Sequence, residues 1–172
     1  MNIKVEGNYI KISLTDLLNE NSASFKGLSQ QDSEIEAVSL GQGELGDRLF
    51  QLLSLDLMTN IKKLRLFQNY FKQEDFVSII RKLADRKIFR NLRSLDLSST
   101  KLNLSRELIE SLYILFPNLS ELDFSGNNID YIPRIDIVQR GNAKLNIREG
   151  DGKGLKLLKL TRCRFSKISL LE

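Results

Sequence analysis

The sequence predicts an α/β fold in which short parallel strands alternate with helices and stack as a solenoid, a short horseshoe with a concave sheet and convex helices. Two observations support this prediction. One spaced pattern of apolar residues occurs five times between residues 35 and 165. The segments between the copies carry apolar residues at helical spacing. One such unit cannot bury its apolar side alone, so successive units must stack.

The repeated pattern is L-x-x-L-x-L-x-x-N-x-L, and the segment from Ile61 to Phe71 contains a full copy. The other copies are Leu92, Leu95, Leu97, Thr100 and Leu102; Leu119, Leu122, Phe124, Asn127 and Ile129; Leu155, Leu158, Leu160, Cys163 and Phe165; and a weaker one, Ile35, Val38, Leu40, Gly43 and Leu45. The last two leucines of L-x-x-L-x-L are two residues apart, so they share one face of a strand. We expect the side chain in the N slot to turn inward and hydrogen-bond the bending backbone. Asn69 and Asn127 suit that role best.

These copies resemble the leucine-rich-repeat family over roughly residues 34–165. The copies begin at residues 35, 61, 92, 119 and 155, so their spacings are 26, 31, 27 and 36 residues. The first three spacings are similar to those of the ribonuclease-inhibitor-like class, whose repeats run about 28 residues with a convex helix. The resemblance implies a concave parallel sheet and, by analogy alone, a protein-binding function.

Three segments between the copies predict helices that pack behind the sheet. The first covers residues 47–58 and the second covers residues 73–89, with Glu74 and Asp75 near its N-terminus. The third follows Ser105, a good N-cap residue, and ends at Pro117.

The remaining regions do not follow the repeat. Residues 1–34 predict an N-terminal cap, with a hairpin around Glu6-Gly7-Asn8, a short helix at 15–19 and a polar loop at 22–33. The rhythm breaks in an insertion at residues 130–154, which is either a second hairpin used in recognition or a tolerated surface excursion. The C-terminal end, residues 166–172, either folds back as a minimal cap or leaves an edge for association.

Composition excludes several classes of function. The 172 residues include no histidine and one cysteine, Cys163, so the sequence offers no Ser-His or Cys-His pair and no disulfide framework. We therefore expect a protein that is not an enzyme and has no cofactor or metal. Charges of both signs are spread along a chain of net charge +4, which disfavours nucleic-acid binding. Without an apolar leader or membrane-spanning run, we expect a cytoplasmic protein that does not contact a membrane.

Three local features could suggest chemistry, and each has a simpler explanation. The glycine-rich segment 150–154 lacks the Gly-Lys-Ser/Thr ending of a phosphate loop and leads into a strand, so a structural turn is favoured. Cys163 fills the N slot as a buried structural thiol. Asp96 and Asp123 lie at one repeat position of adjacent strands, about 5 Å apart, but an open sheet gives them no closed cleft.

The concave face is the predicted binding surface. Residues on either side of the second and third leucine slots should point outward from each strand. In the first copy these are Ala37, Ser39 and Gly41. The candidate contacts are Lys63, Arg65, Phe67, Asp96, Glu121, Asp123, Leu157 and Lys159. Opposite charges such as Arg65 and Asp96 could instead pair with each other across strands.

The sequence therefore predicts a monomeric module that binds another protein of unknown identity. A Lys-, Ile- and Asn-rich chain without disulfides would suit an effector that bacteria deliver into host cells. Two alternatives stay open: a structural unit that self-associates through its C-terminal edge, and a substrate-recognition subunit of a ubiquitin ligase.

Overall fold

The computed structural model describes residues 3–6, 9–13, 34–38, 46–54, 56–84, 89–130 and 155–165. Within these ranges the protein has an α/β fold with parallel sheets and few helices, and its strands do not close into a barrel. The predicted helix at 15–19, the loop at 22–33, most of the insertion at 130–154 and the end at 166–172 lie outside the described residues.

The N-terminal strands form the predicted hairpin. Strand β1 (Ile3–Glu6) pairs antiparallel with β2 (Tyr9–Ser13), and Glu6 lies opposite Tyr9. Strand β2 then pairs in parallel with β3 (Glu34–Val38), so the hairpin extends the same sheet. The hairpin prediction is confirmed.

Four three-residue strands continue the sheet in parallel, each aligned on a buried leucine. They are β4 (Lys63–Arg65), β5 (Ser94–Asp96), β7 (Glu121–Asp123) and β9 (Leu157–Lys159). The strands pair in chain order, and Leu64, Leu95, Leu122 and Leu158 face one another across the sheet. All four leucines are at most 1% exposed, whereas their neighbours in each strand are half-buried or exposed. The second leucine slot therefore supplies the core, as predicted.

The first copy of the pattern was misaligned by three residues. The repeat pattern places Val38 in the same slot as Leu64. The sheet instead pairs Ile35 with Leu64 and Glu36 with Arg65. Pairing with β2 explains the shift, because Ile10 lies opposite Ile35 and Ile12 lies opposite Ala37, and this pairing sets the register of β3. Ala37 therefore does not take the predicted place beside Lys63, and Ser39 and Gly41 lie outside the described residues.

In the described ranges, three α-helices and one 3-10 helix lie between the strands. Helix α1 (Gly46–Leu53) is shorter than predicted, and a 3-10 helix at Asp56–Thr59 follows it. The predicted continuous helix over 47–58 is wrong, because α1 ends at Leu53 and the separate 3-10 turn begins at Asp56; the N–H and the hydroxyl of Ser54 both donate to the Phe50 carbonyl in the last turn of α1.

The two later helices also depart slightly from expectation. Helix α2 spans Gln73–Ala84, and Phe89 lies in a turn instead of ending the helix as predicted, with its ring centroid 5.1 Å from that of Phe116. Helix α3 (Arg106–Leu115) has the predicted N-cap, because the Ser105 side chain accepts from the Leu108 N–H. It ends before Pro117, as predicted.

A second parallel sheet runs beside the first and was not predicted. Its strands are β6 (Asn103–Leu104), β8 (Asn128–Ile129) and β10 (Arg164–Phe165), with β8 in the middle. Each strand comes soon after the N slot of its unit, where the chain leaves the first sheet.

The N-slot side chains turn inward and hydrogen-bond the backbone at the end of each strand, as predicted, and Asn127 also joins its unit to the preceding one. Asn69 Nδ2 donates to the Leu66 carbonyl at 2.9 Å, and Thr100 Oγ1 donates to the Leu97 carbonyl at 2.8 Å. Asn127 Nδ2 reaches the carbonyl of Leu97 in the preceding unit at 2.7 Å. The side chains of Asn69, Thr100 and Asn127 are buried. One continuous apolar cluster, drawn from strands and helices together, lies behind them.

Candidate functional site

The sheet presents one face away from the helices, and the predicted contact residues meet there. This front face is defined by the side chains beside the four strand leucines: Lys63, Arg65, Ser94, Asp96, Glu121, Asp123, Leu157 and Lys159. Register brings them into two rows, because each strand pairs with the next residue by residue. Phe67 lies two residues beyond Arg65 along the first of these units. All eight predicted residues therefore lie on or beside one surface.

These residues differ in how much they are exposed. Lys63, Glu121 and Lys159 are exposed, whereas Phe67 and Leu157, predicted as exposed apolar anchors, are half-buried. Phe67 is covered in part by its own neighbour, since the Arg65 guanidinium carbon lies 5.1 Å from the centre of the Phe67 ring. This distance is within the range of a cation–π contact.

One row of the front face contains two cations and two anions that offset each other: Arg65, Asp96, Asp123 and Lys159. Arg65 Nε lies 3.7 Å from Asp96 Oδ2, and Lys159 Nζ lies 3.6 Å from Asp123 Oδ2. The cross-strand pairing of Arg65 with Asp96, which the sequence left as an alternative, is therefore confirmed. Two acidic residues side by side are tolerated because each has a cation on its outer flank.

Both aspartates also support the backbone where their strands end. Asp96 Oδ1 accepts from the N–H and the hydroxyl of Ser98, at 2.9 and 2.6 Å. Asp123 Oδ1 accepts from the Ser125 N–H at 3.1 Å. Such carboxylates close the turn after the strand. Each carboxylate is therefore fixed by a turn and a cation, an arrangement suited to presenting a rigid surface.

Beyond the strands, four residues adopt the left-handed conformation at the same place in each unit. Gln68, Ser99, Gly126 and Arg162 precede the N slot and have φ between 54° and 72°. Successive N–H groups there donate to the next unit, as from Ser99 to Ser125 at 2.8 Å and from Gly126 to Thr161 at 2.8 Å. The identical turn keeps the side chains of Ser98, Ser125 and Thr161 in step along one edge of the front face.

Sequence reasoning missed three exposed apolar side chains. Tyr70 is 41% exposed with Lys101 Nζ 3.9 Å from its ring centre, and Ile114 on α3 is 62% exposed. Phe165 was assigned to a buried slot but is 53% exposed. The corresponding Phe71 is 8% exposed because Phe76 packs on it at 5.1 Å between ring centres. The position of Tyr70, between the N slot and the last apolar slot, was the available signal for its outward placement.

The remaining chemical candidates were Cys163 and the glycine-rich segment. Cys163 is half-buried instead of buried as predicted, and its thiol donates to the Phe124 carbonyl at 3.4 Å. The glycine-rich segment 150–154 lies outside the described residues. Among the residues that the structure describes, no three His, Cys, Asp or Glu side chains cluster as metal ligands.

Comparison of the chain with protein-family models, with curated proteins and with solved structures gave no match. Among the described ranges, no helix has the length and apolar character needed to span a bilayer.

Proposed function

We propose that the chain is a leucine-rich-repeat solenoid that binds another protein through the front face, which would be the concave face of the solenoid. Support for the fold comes from hydrogen bonds that repeat from unit to unit. The N–H of Arg93 donates to the Lys62 carbonyl, that of Ser120 donates to the Arg93 carbonyl, and that of Lys156 donates to the Ser120 carbonyl. Equivalent atoms thus join each unit to the next, which is the property that lets identical units stack.

Arg65 is the single observation that carries the binding proposal. Its guanidinium is held between the Phe67 ring and the Asp96 carboxylate on an otherwise open sheet face. Arginine and aromatic residues are the side chains that most often dominate protein interfaces. Because this pair is fixed before any partner arrives, little side-chain entropy is lost on binding.

The charge balance of the front face favours a protein partner. Arg65 and Lys159 are offset by Asp96 and Asp123, so a polyanion gains little attraction there. Serine and threonine hydroxyls border the charged row, and they can donate or accept hydrogen bonds. A partner of mixed polarity, such as a folded protein, fits this surface best. A bacterial effector acting in a host cell and a recognition subunit of a ubiquitin ligase are two settings consistent with the proposal.

The test is site-specific crosslinking followed by measurement with the identified partner. A photoreactive phenylalanine analogue replaces Phe67 in one variant and the exposed Ile114 of α3 in the control. We expect one protein to be captured at position 67 and not at position 114. Binding of that purified protein should then weaken at least about tenfold in the Arg65→Ala/Phe67→Ala variant.

The matched control for that measurement is Lys82→Ala/Ile114→Ala, which removes one exposed cation and one exposed apolar side chain from the helices. Circular dichroism verifies that both variants remain folded. Equal losses in the two variants, or capture only at position 114, would contradict the proposal.

A further inference from the structure

The whole net charge of the protein resides in one short segment. The chain has 26 Lys and Arg against 22 Asp and Glu, a net charge of +4. Residues 155–165 contain four basic residues and no acidic residue, so the other 161 residues carry 22 of each sign. The expectation that charges of both signs are spread along the chain therefore fails for this segment, hereafter the basic segment.

The four cations are displayed on the surface and alternate with apolar side chains. Lys156, Lys159, Arg162 and Arg164 are all exposed. Between them, Leu157, Leu160 and Cys163 are half-buried, and Phe165 at the end is 53% exposed. Lys159 Nζ lies 3.6 Å from Asp123 Oδ2. The surface therefore offers spaced positive charge with partly accessible apolar groups between the charges.

The backbone of the basic segment is extended over two sheets. Residues Leu157–Lys159 form β9 of the large sheet, and Arg164–Phe165 form β10 of the small sheet. Within the described ranges, β9 pairs only with β7, and β10 pairs only with β8. An outer strand edge can accept an extended peptide through main-chain hydrogen bonds.

We propose that the basic segment is a second docking surface, distinct from the Arg65–Phe67 site, and that it binds an extended acidic protein segment with interspersed apolar residues. Carboxylates of the acidic partner pair with Lys156, Arg162 and Arg164. The partner's apolar side chains cover Leu160 and Phe165. Arg presents a planar fork that binds a carboxylate through two hydrogen bonds.

Two other occupants fit less well. A single-stranded nucleic acid gains affinity by stacking bases on several aromatic side chains, and Phe165 is the sole aromatic residue of the segment. A second copy of the chain docking edge to edge would bring four cations against four cations. That like-charge contact is unfavourable, so charge also disfavours self-association at this edge.

The experiment measures binding of a fluorescein-labelled peptide of alternating Glu and Val to the full chain by fluorescence anisotropy. A peptide with Gln in place of every Glu, a peptide with Gly in place of every Val, a single-stranded oligonucleotide and anionic lipid vesicles are compared with it. We expect saturable binding of the Glu–Val peptide alone, weakening as salt increases.

Charge reversal locates the site. Arg162→Glu/Arg164→Glu should weaken peptide binding at least about tenfold. The control Lys82→Glu/Arg90→Glu makes the same change in net charge at two other exposed positions and should change affinity less than about twofold. Arg65→Ala/Phe67→Ala should leave peptide binding intact, which separates this site from the Arg65–Phe67 pair that carries the proposed function.

Several results would overturn the proposal. These are no peptide binding at low salt, equal weakening by the two charge reversals, and equal binding of the Gly-substituted peptide. Preference for the oligonucleotide or the vesicles would also overturn it, in favour of a general polyanion surface. Circular dichroism of each variant ensures that a loss of binding is not a loss of folding.

Discussion

Replacing Asn127 with alanine should destabilise the protein more than any other single loss of a polar side chain that the structure shows. The Asn127 side chain is 2% exposed and connects two units. Its amide donates to the carbonyls of Leu97 and Phe124 at 2.7 and 3.1 Å, while its oxygen accepts from the Thr100 N–H at 2.9 Å. Removing it leaves three buried backbone groups without this partner.

The size of the effect follows from those three bonds. A net contribution of about 1 kcal/mol for each bond, with a further penalty for groups that water cannot reach, gives a loss of about 3–5 kcal/mol. Small domains are stable by roughly 5–15 kcal/mol, so the variant should remain folded but lose a large share of its stability. The corresponding decrease in melting temperature is about 6–20 °C.

Urea unfolding followed by far-ultraviolet circular dichroism measures this difference. The neighbouring Asn128 is exposed, and Asn128→Ala is the matched control, with an expected change within about 0.5 kcal/mol. A loss below about 1 kcal/mol for Asn127→Ala, with an unchanged denaturant slope, would refute the inference that the N slot joins the units.

Three further predictions concern the turns and the front face. Gly126→Ala should cost at least about 1 kcal/mol in urea unfolding, because φ is +72° and the new Cβ would lie 2.6 Å from Ser99 Oγ; adding Ser99→Ala should restore part of the loss, and strict additivity would contradict the clash. Ser105→Ala should cost about 1 kcal/mol through loss of the α3 N-cap, and no measurable change would argue against the cap. A double-mutant cycle on Arg65 and Asp96 should give a coupling below about 1 kcal/mol, since both side chains are partly exposed and 3.7 Å apart; a larger value would indicate that this ion pair is chiefly structural.

The sequence allowed the strand positions to be predicted where the local pattern and the burial requirement agree. Leu64, Leu95, Leu122 and Leu158 are all buried in the structure. The apolar residues two positions later are Leu66, Leu97 and Phe124, which are also buried, and Leu160, which is half-buried. The inward N slot could likewise be predicted, because an amide has few other ways to be satisfied at a bend.

The errors arose where one segment supports two registers. Around Ile35 the apolar letters fit two alignments that differ by three residues, and only the pairing of β3 with β2 decides between them. The same limit applies to exposure. Phe165 is an apolar residue at a repeat position that is buried elsewhere. Its burial would need a neighbour equivalent to Phe76, which packs on Phe71, and no local pattern supplies one.

The sequence predicted which candidate contact residues lie together, but it did not predict how their side chains pair. Register follows from the repeat, so Asp96 and Asp123 were correctly placed side by side. Which atoms pair depends on side-chain geometry, and so the contact of Arg65 with the Phe67 ring is known only from the structure.

The relay of hydrogen bonds from Lys62 to Arg93 to Ser120 has a consequence for how such a chain can change length. Because the donor and acceptor atoms are equivalent in each unit, residues 93–119 form an exchangeable cassette. Excising them would join Leu92 to Ser120, align the Ser120 N–H with the Lys62 carbonyl, and place Asp123 opposite Arg65 in the position that Asp96 holds now. Opposite charge would still meet opposite charge at the junction, so a gene could lose this module without creating a mismatched seam, whereas duplication would leave a middle aspartate between two other aspartates.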